Sequence, residues 1–232
     1  MKLGDSMSNK IIIGIVGEER LYRGKKLVIF NDNVLDLIMK NRAIPLGLLP
    51  TNIDVKKKLS QLEKDDLHIM IDSCSGVILQ GGKNIYGYQI EAVNYIREKN
   101  IPVLGICLGM EIMALSAKGK KERLNDEFHR QGDSYAHPVR IDHASKLYSI
   151  IGEDEIMVNS NHICHVEDAG EYVVSSKYDE QIIEAIELPD KLFHIGVQWH
   201  PETMINYDDN MNKLVGSFFD ASHQYEDLKN KQ

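Results

Sequence analysis

The sequence has few cysteines, no long apolar run and no excess of positive charge, and each absence argues against a class of protein. Its three cysteines show no paired spacing, so we expect no disulfide framework and a reducing compartment. The longest apolar run is too short to span a bilayer, and the first residues lack the apolar segment of a signal peptide. Lys and Arg number 27 against 35 Asp and Glu, which disfavours a phosphate-binding surface. We expect a cytoplasmic protein that binds neither membranes nor nucleic acid.

Phosphate-binding loops, internal repeats and linkers are also missing. Gly14-x-x-Gly17 lacks the spacing of a dinucleotide or phosphate loop, so we expect no nucleotide cofactor. Without a linker, the 232 residues are expected to form one domain, residues 1–232, in which residues 1–8 are a flexible N-terminal extension.

The first half of the chain alternates short apolar runs with helical patterns. The runs at residues 11–16, 44–49, 76–80 and 101–106 predict buried strands, and helices are predicted from Asp32, from Asp54 to about Asp66, and from about Tyr88 to Lys99. Residues 17–20 are expected to form a loop after the first strand, at the rim of a cleft. This alternation is typical of a mostly parallel α/β sheet with helices on both faces.

The second half has a different pattern. Strands predicted at residues 135–141, 155–158, 172–176, 182–188 and 193–198 have only short spacers, which indicates hairpins and an antiparallel edge. From Asp208 onward, apolar residues recur at the spacing of an amphipathic helix. The sequence leaves two arrangements open for this helix: packing on its own sheet, or on a second copy in a homodimer.

Cys107 is the first candidate for chemistry. It lies in Gly105-x-Cys107-x-Gly109, between an apolar strand and a helical pattern. Small neighbours permit the sharp turn of a nucleophile elbow, and the N-terminus of the following helix favours thiolate over thiol. The alternative is a small buried residue at a tight turn, since free cysteine is among the most buried residue types.

A base and an oxyanion hole are predicted from two other strand ends. His200 and Glu202 end a strand two positions apart, so His200 can take the thiol proton while Glu202 orients the ring. Gly81 and Gly82 end another strand, where the N–H of Gly82 and that of Leu108 could form an oxyanion hole. Because ligands bind beyond the carboxyl ends of parallel strands, these segments are expected to converge.

Other clusters have less support. His162, Cys164 and His165 lie close together in sequence, but their spacing matches no zinc pattern, so no metal is expected. We expect His162 to lie in the cleft and Cys74 to have a structural role.

Three segments together resemble the class I glutamine amidotransferase superfamily: Gly105-Ile-Cys-Leu-Gly109, Gly196-Val-Gln-Trp-His-Pro-Glu202 and the strand before Gly81-Gly82. Residues 135–140 and 158–162 look most like the gamma-glutamyl hydrolase branch, which includes gamma-glutamyl-gamma-aminobutyrate hydrolases. The resemblance implies a flavodoxin-like fold and a Cys107, His200, Glu202 triad without a cofactor. It also implies a small gamma-glutamyl substrate whose amide is cleaved through a thioester, releasing glutamate and an amine.

The sequence departs from that family at the substrate side. Glu111 stands where glutamine is usual, and Ile163-Cys164 replaces His-Gln. The substrate contacts implied by the resemblance are Gly81, Glu111, Ser160, Asn161 and His162.

Two other functions remain open. One is a glutaminase subunit supplying ammonia to a synthetase, which we expect from the length to be a separate chain. The other is a non-catalytic binding protein of the same fold, which the intact triad disfavours.

Overall fold

The computed structural model describes residues 10–52, 58–124, 129–179 and 181–231. The expected N-terminal extension, residues 1–8, lies outside these ranges. The strands are β1 Ile12–Val16, β2 Glu18–Tyr22, β3 Lys25–Ile29, β4 Ile44–Leu48, β5 Gly76–Leu79, β6 Val103–Ile106, β7 Lys120–Arg123, β8 Arg130–Ile141, β9 Glu155–Asn161, β10 Cys164–Asp168, β11 Val173–Tyr178, β12 Ile182–Glu187 and β13 His194–Val197. The helices are α1 Asp32–Lys40, α2 Gln61–Asp72, α3 Gly87–Lys99, α4 Leu108–Ser116, α5 Lys146–Ile151, α6 Pro201–Met204 and α7 Asp209–Lys229.

The main sheet has a parallel half and an antiparallel half. Its order is β4-β1-β5-β6-β13-β12-β11-β8-β9, and β10 joins β12 to β7. The strands from β4 to β13 are parallel, whereas β12 and the strands beyond it pair in antiparallel fashion. Parallel strands end at one sheet edge, so β5, β6 and β13 deliver their following loops to the same place.

Helices cover both faces of the sheet. Buried side chains of α1, α5 and α7 pack on one face, and those of α2, α3 and α4 pack on the other. This arrangement confirms the predicted mostly parallel α/β sheet with helices on both faces and an antiparallel region. None of the helices in the described ranges is long and apolar enough to cross a membrane.

The C-terminal helix α7 packs on its own sheet. Asp208 caps it by accepting hydrogen bonds from the backbone N–H groups of Asn210 and Met211. Its buried residues follow the predicted spacing: Met211, Leu214, Val215, Phe218 and Phe219. Burying this apolar stripe against the sheet stabilises the helix more than its intrinsic propensity does. The sheet of its own chain therefore covers the apolar stripe of α7, and a homodimer stays a prediction.

Two local predictions were wrong. Residues 17–20 are not a loop, because Glu18 begins a hairpin of β2 and β3 that is separate from the main sheet. Its turn residues Arg23 and Gly24 both have positive φ, 49° and 77°, the backbone pair that matches the twist of a hairpin.

The second correction concerns α2. This helix begins at Gln61 and not at Asp54, because Ser60 and Glu63 form a capping box there, and it continues to Asp72. Residues 53–57 lie outside the described ranges.

Candidate active site

Cys107 occupies a strained turn between β6 and α4. Its φ of 52° and ψ of −107° are uncommon for a residue with a side chain. The turn is held because the Cys107 N–H donates to the carbonyl of Val197, 2.8 Å away, and its own carbonyl accepts from the N–H of Met110, 3.0 Å away. The thiol therefore lies at the N-terminus of α4, where negative charge is favoured.

Glycine is required on both sides of Cys107 because neighbouring segments come too close to leave room for a side chain. A Cβ at Gly109 would lie 2.1 Å from the carbonyl oxygen of Leu79, and one at Gly105 would lie 2.9 Å from the backbone carbonyl carbon of Gly109. Both distances are far below contact, so α4 can pack against β5 and β6 only when these positions are glycine. This is the geometry expected of a nucleophile elbow.

His200 and Glu202 form a buried pair after β13. Nδ1 of His200 lies 2.8 Å from Oε1 of Glu202, and the Glu202 side chain has no exposed surface. Pro201 separates them at the start of α6 and fixes the backbone between them. Because a carboxylate can only accept, Nδ1 carries the proton and Nε2 is left to act as a base.

Gly81, at the end of β5, lies against both His200 and Cys107. A Cβ at Gly81 would lie 2.9 Å from Cε1 of His200 and 3.7 Å from Cβ of Cys107. Nε2 of His200 is buried and makes no well-aligned hydrogen bond within the described part of the chain. Such bonds are often loose before substrate binds. The three predicted strand ends therefore meet, as the parallel topology requires.

The charge of Glu202 acts on His200. Burial would lower the pKa of His200, but the Glu202 carboxylate and the Cys107 side chain together raise that pKa well above its usual 6.5. The imidazolium form is thus favoured, as a thiolate–imidazolium pair requires.

We expect the pair to make stability depend on pH. Since the pKa of His200 is raised in the folded chain, the stabilisation is complete below about pH 6.5 and is lost as pH rises through the folded value. Glu202→Gln removes it. Urea denaturation between pH 6 and 9 measures how much unfolding free energy this variant loses. The loss should be largest at pH 6 and become smaller as the pH rises. A loss independent of pH would contradict this account.

Asn159 is a positioning residue that the sequence interpretation missed. On β9, its Oδ1 accepts from the N–H of His200 at 2.8 Å, and its Nδ2 donates to the His200 carbonyl at 3.1 Å. The side chain thus clamps the backbone of the base from both sides. Asn159 stands in the segment used for the resemblance, but the interpretation selected the three residues that follow it.

Of the two predicted oxyanion-hole residues, Leu108 follows Cys107 directly, and a Cβ at Gly82 would lie 3.0 Å from Cδ2 of Leu108. In the described ranges, the backbone N–H groups of Gly82 and Leu108 donate to no other protein group. Glu18 holds the loop after Gly82, since its carboxylate accepts from the N–H of Lys83 at 2.8 Å. Glu18 is 2% exposed. The sequence pattern placed it at the rim of the cleft but gave it no role.

Glu111 forms an ion pair inside the protein. It lies in the first turn of α4, and its Oε2 accepts from Nζ of Lys121 on β7 at 2.7 Å. The Glu111 side chain is 4% exposed and that of Lys121 is 28% exposed. The extra carboxylate that departs from the family pattern is therefore matched by a cation, which the sequence interpretation did not identify.

The unequal exposure of this pair predicts unequal stability losses. Lys121→Met should cost about 3 kcal/mol because it leaves Glu111 buried without its partner. Glu111→Gln should cost only about 1 kcal/mol because Lys121 can reach water. Urea denaturation measures both, and Lys118→Met, which breaks an exposed pair with Glu171, is the control with a change below about 0.5 kcal/mol. Equal losses from the two variants would contradict the prediction.

The remaining predicted substrate residues lie in different environments. Ser160 is fully buried, and its hydroxyl lies 3.1 Å from Nδ1 of His129. Asn161 is exposed. His162 is 5% exposed and lies near His200, and burial lowers its pKa to about 3. Their roles in substrate binding stay predictions.

All three thiols are free. Cys74 is buried in the core, and burial raises the pKa of its thiol to about 12, which makes it unreactive at neutral pH.

A family model described as Peptidase C26 matches residues 86–202, about half of the chain, including Cys107, His200 and Glu202. The chain belongs to the peptidase C26 family. Among curated relatives of this family member, the CTP synthase of Chlamydia abortus is 26% identical over 238 residues, which cover 87% of this chain and 42% of that protein. The chain thus spans about two fifths of the length of this relative.

Solved structures share the fold of this peptidase C26 member at low sequence identity. The glutaminase domain of Trypanosoma brucei CTPS, with acivicin bound, matches with a TM-score of 0.68 and 19% identity over 93% of this chain and 94% of that one. A glutamine amidotransferase of Thermotoga maritima matches with a TM-score of 0.56 and 16% identity, over 95% and 94%. The chain therefore has the class I glutamine amidotransferase fold.

Proposed function

We propose that this protein cleaves the gamma-glutamyl amide bond of a small substrate by cysteine catalysis, and that glutamine is that substrate. The observation that carries the proposal is the meeting of the Cys107 elbow with the buried His200–Glu202 pair at the end of β5. A nucleophile, a base and a group that orients the base are what acyl transfer needs.

The first half of the reaction forms a thioester. The Cys107 sulfur attacks the amide carbon while His200 holds the thiol proton, and the N–H groups of Gly82 and Leu108 stabilise the oxyanion. The intermediate collapses as His200 passes the proton to the leaving nitrogen, which departs as an amine, or as ammonia when the substrate is glutamine.

The second half regenerates the enzyme. Water attacks the thioester carbon and gives a proton to His200, and a second oxyanion forms at the same N–H groups. Its collapse breaks the carbon–sulfur bond, releases glutamate and returns the proton to Cys107.

The glutaminase function is supported by the relatives. A CTP synthase aligns with 87% of the chain, and a CTPS glutaminase domain shares its fold. We propose that ammonia released at Cys107 is passed to a synthetase. In such a pair the glutaminase is active mainly when its partner completes the site.

A stand-alone gamma-glutamyl hydrolase is the second candidate. Two observations favour it: the matching family is described as a peptidase, and the Glu111–Lys121 pair stands where the superfamily usually has glutamine. A substrate other than glutamine would account for both.

One assay separates the two functions. Glutamate release is measured from glutamine, gamma-glutamyl-gamma-aminobutyrate, other gamma-glutamyl amines and short gamma-glutamyl peptides, and acivicin labelling of Cys107 is measured in parallel. The glutaminase is supported if acivicin labels Cys107 and glutamine is the only compound of the panel that is turned over, or if turnover is slow throughout. Fast turnover of a substituted amide supports the stand-alone hydrolase, and neither turnover nor labelling would refute both.

Asn159→Ala should lower kcat about 10- to 100-fold and change KM little, because the variant displaces the base and not the substrate. Steady-state kinetics on the substrate found in the panel would measure this. Asn159→Asp should recover part of the rate, since it keeps the acceptor for the His200 N–H. Asn230→Ala, at the far end of α7, is the control. A rise in KM at unchanged kcat would contradict the positioning role of Asn159.

A further inference from the structure

Four buried side chains meet in the antiparallel half of the sheet: His129, His137, His162 and Glu184. His137 lies on β8 and Glu184 on β12, whereas His129 precedes β8 and His162 follows β9. One nitrogen or oxygen from each lies within 4.8 Å of those of the other three. None of the four is more than 5% exposed. The cluster therefore brings together segments that are far apart in sequence, away from water.

Two distances within the cluster are too long for hydrogen bonds and slightly longer than those between two ligands of one metal ion. Nε2 of His137 and Nε2 of His162 each lie 3.7 Å from Oε1 of Glu184. This is too long for a hydrogen bond. Two ligands of a tetrahedral ion with bonds of about 2.0 to 2.1 Å lie about 3.3 Å apart, so small side-chain rotations close the set.

The outer nitrogens fix the direction of the inner ones. Nδ1 of His162 lies 2.8 Å from the carbonyl of Cys164, and Nδ1 of His137 lies 3.2 Å from the carbonyl of Pro138. Since a carbonyl only accepts, both Nδ1 atoms donate, and each neutral ring keeps its lone pair on Nε2, 3.7 Å from the carboxylate. A backbone carbonyl on the outer nitrogen is the usual support of a metal-bound histidine.

Glu184 differs from a second buried glutamate on the same strand. Glu187 is also fully buried, but its carboxylate accepts from the N–H groups of Lys146 at 2.6 Å and Leu147 at 3.0 Å. No group in the described ranges donates a hydrogen bond to either oxygen of Glu184. A buried carboxylate that faces lone pairs is costly unless a proton or a metal ion lies between them.

We propose that His129, His137, His162 and Glu184 bind a divalent first-row metal ion, of which Zn²⁺ is the best match. Three imidazole nitrogens and one carboxylate oxygen are ligands that Zn²⁺ accepts in tetrahedral geometry. Four protein ligands in a closed, buried set describe a structural site. The ion ties β12 to the segments around β8 and β9, beside the loop that carries His200.

This site differs from the trio weighed from the sequence. That trio was His162, Cys164 and His165, and only His162 belongs to the cluster. Cys164 contributes its backbone carbonyl to the outer nitrogen of His162. The other ligands come from segments that fixed zinc spacings do not relate to one another.

Metal content and Co²⁺ spectroscopy test the proposal. Full-length protein is purified without chelator, and its metal is measured by mass spectrometry. We expect about one Zn²⁺ per chain. After removal of the metal, Co²⁺ alone is added, and the intense visible bands of tetrahedral Co²⁺ should appear and saturate at one equivalent. Chelation should lower the midpoint of thermal unfolding, and Zn²⁺ should restore it.

Variants locate the ion. Glu184→Gln and His137→Gln should weaken Zn²⁺ binding at least about 100-fold. Glu187→Gln is the matched control, equally buried on the same strand, and should keep one equivalent. The titration is also run in Cys107→Ala, where the metal should be retained. If Glu184→Gln does not fold, the wild-type and Cys107→Ala titrations still decide.

Several outcomes would overturn the proposal. One is that the protein binds neither Zn²⁺ nor Co²⁺, and another is that bound Co²⁺ lacks the intense bands of tetrahedral geometry. A third is that Cys107→Ala loses the metal, which would assign the ion to the triad. Equal binding by wild type and Glu184→Gln would also overturn it.

Discussion

Cys107→Ala should lower the turnover of the gamma-glutamyl substrate by at least about 10⁴-fold while the protein stays folded. Without the sulfur, no thioester can form, and His200 has no nucleophile to activate. The elbow backbone should survive, because its hydrogen bonds to Val197 and Met110 use main-chain groups. Glutamate release under saturating substrate measures the loss, and circular dichroism with urea denaturation checks the fold.

Cys74→Ala is the matched control for that experiment. Cys74 is also buried, but it packs in the core and lies away from the site. Its removal should cost some stability through a small cavity and leave turnover intact. If Cys107→Ala retained activity, or if Cys74→Ala abolished it in a folded protein, the proposed mechanism would be wrong.

Much of the site could be predicted because its signals are local. The glycines around Cys107 and the His-Pro-Glu segment each mark a strand end within a few residues, and the parallel topology requires that such ends share an edge. The amphipathic spacing after Asp208 likewise identified α7. In each case, the pattern that predicts the element is the pattern that buries it.

The groups that complete the site depend on distant pairing. Asn159 reaches His200 across 41 positions of sequence, and Glu18 reaches the N–H of Lys83 across 65. Lys121 is only 10 positions from Glu111, but the two meet because β7 packs beside α4. No periodicity in one segment specifies which polar side chain of another will face it, so these partners could not be predicted from spacing.

Two of the errors had a signal in the sequence. Ser60-x-x-Glu63 is a capping box, and it marks the start of α2 more directly than the run of charges before it. Arg23-Gly24 lies between two short strands, and a glycine there permits the tight turn of the β2–β3 hairpin. Turn and cap chemistry should therefore outweigh average composition in assigning such segments.

His200→Ala should lower turnover more than Glu202→Gln does, and the gap between them separates the two roles. His200→Ala removes the group that carries the proton in both halves of the reaction, so a loss of about 10⁵- to 10⁶-fold is expected. Glu202→Gln keeps the imidazole and can still form a hydrogen bond to Nδ1, but it removes the charge that raises the pKa of His200. Its loss should be about 10³- to 10⁴-fold.

The pH dependence of Glu202→Gln decides why its rate falls. If Glu202 acts through the imidazolium, the limb of the rate profile governed by His200 should move to lower pH in Glu202→Gln, because the raised pKa then falls toward its usual 6.5. If the amide only misplaces the ring, the profile should keep its shape and drop uniformly. A Glu202→Gln loss as large as that of His200→Ala would mean that the carboxylate does more than orient and charge its neighbour. The triad roles assigned from the 2.8 Å contact would then have to be reassigned.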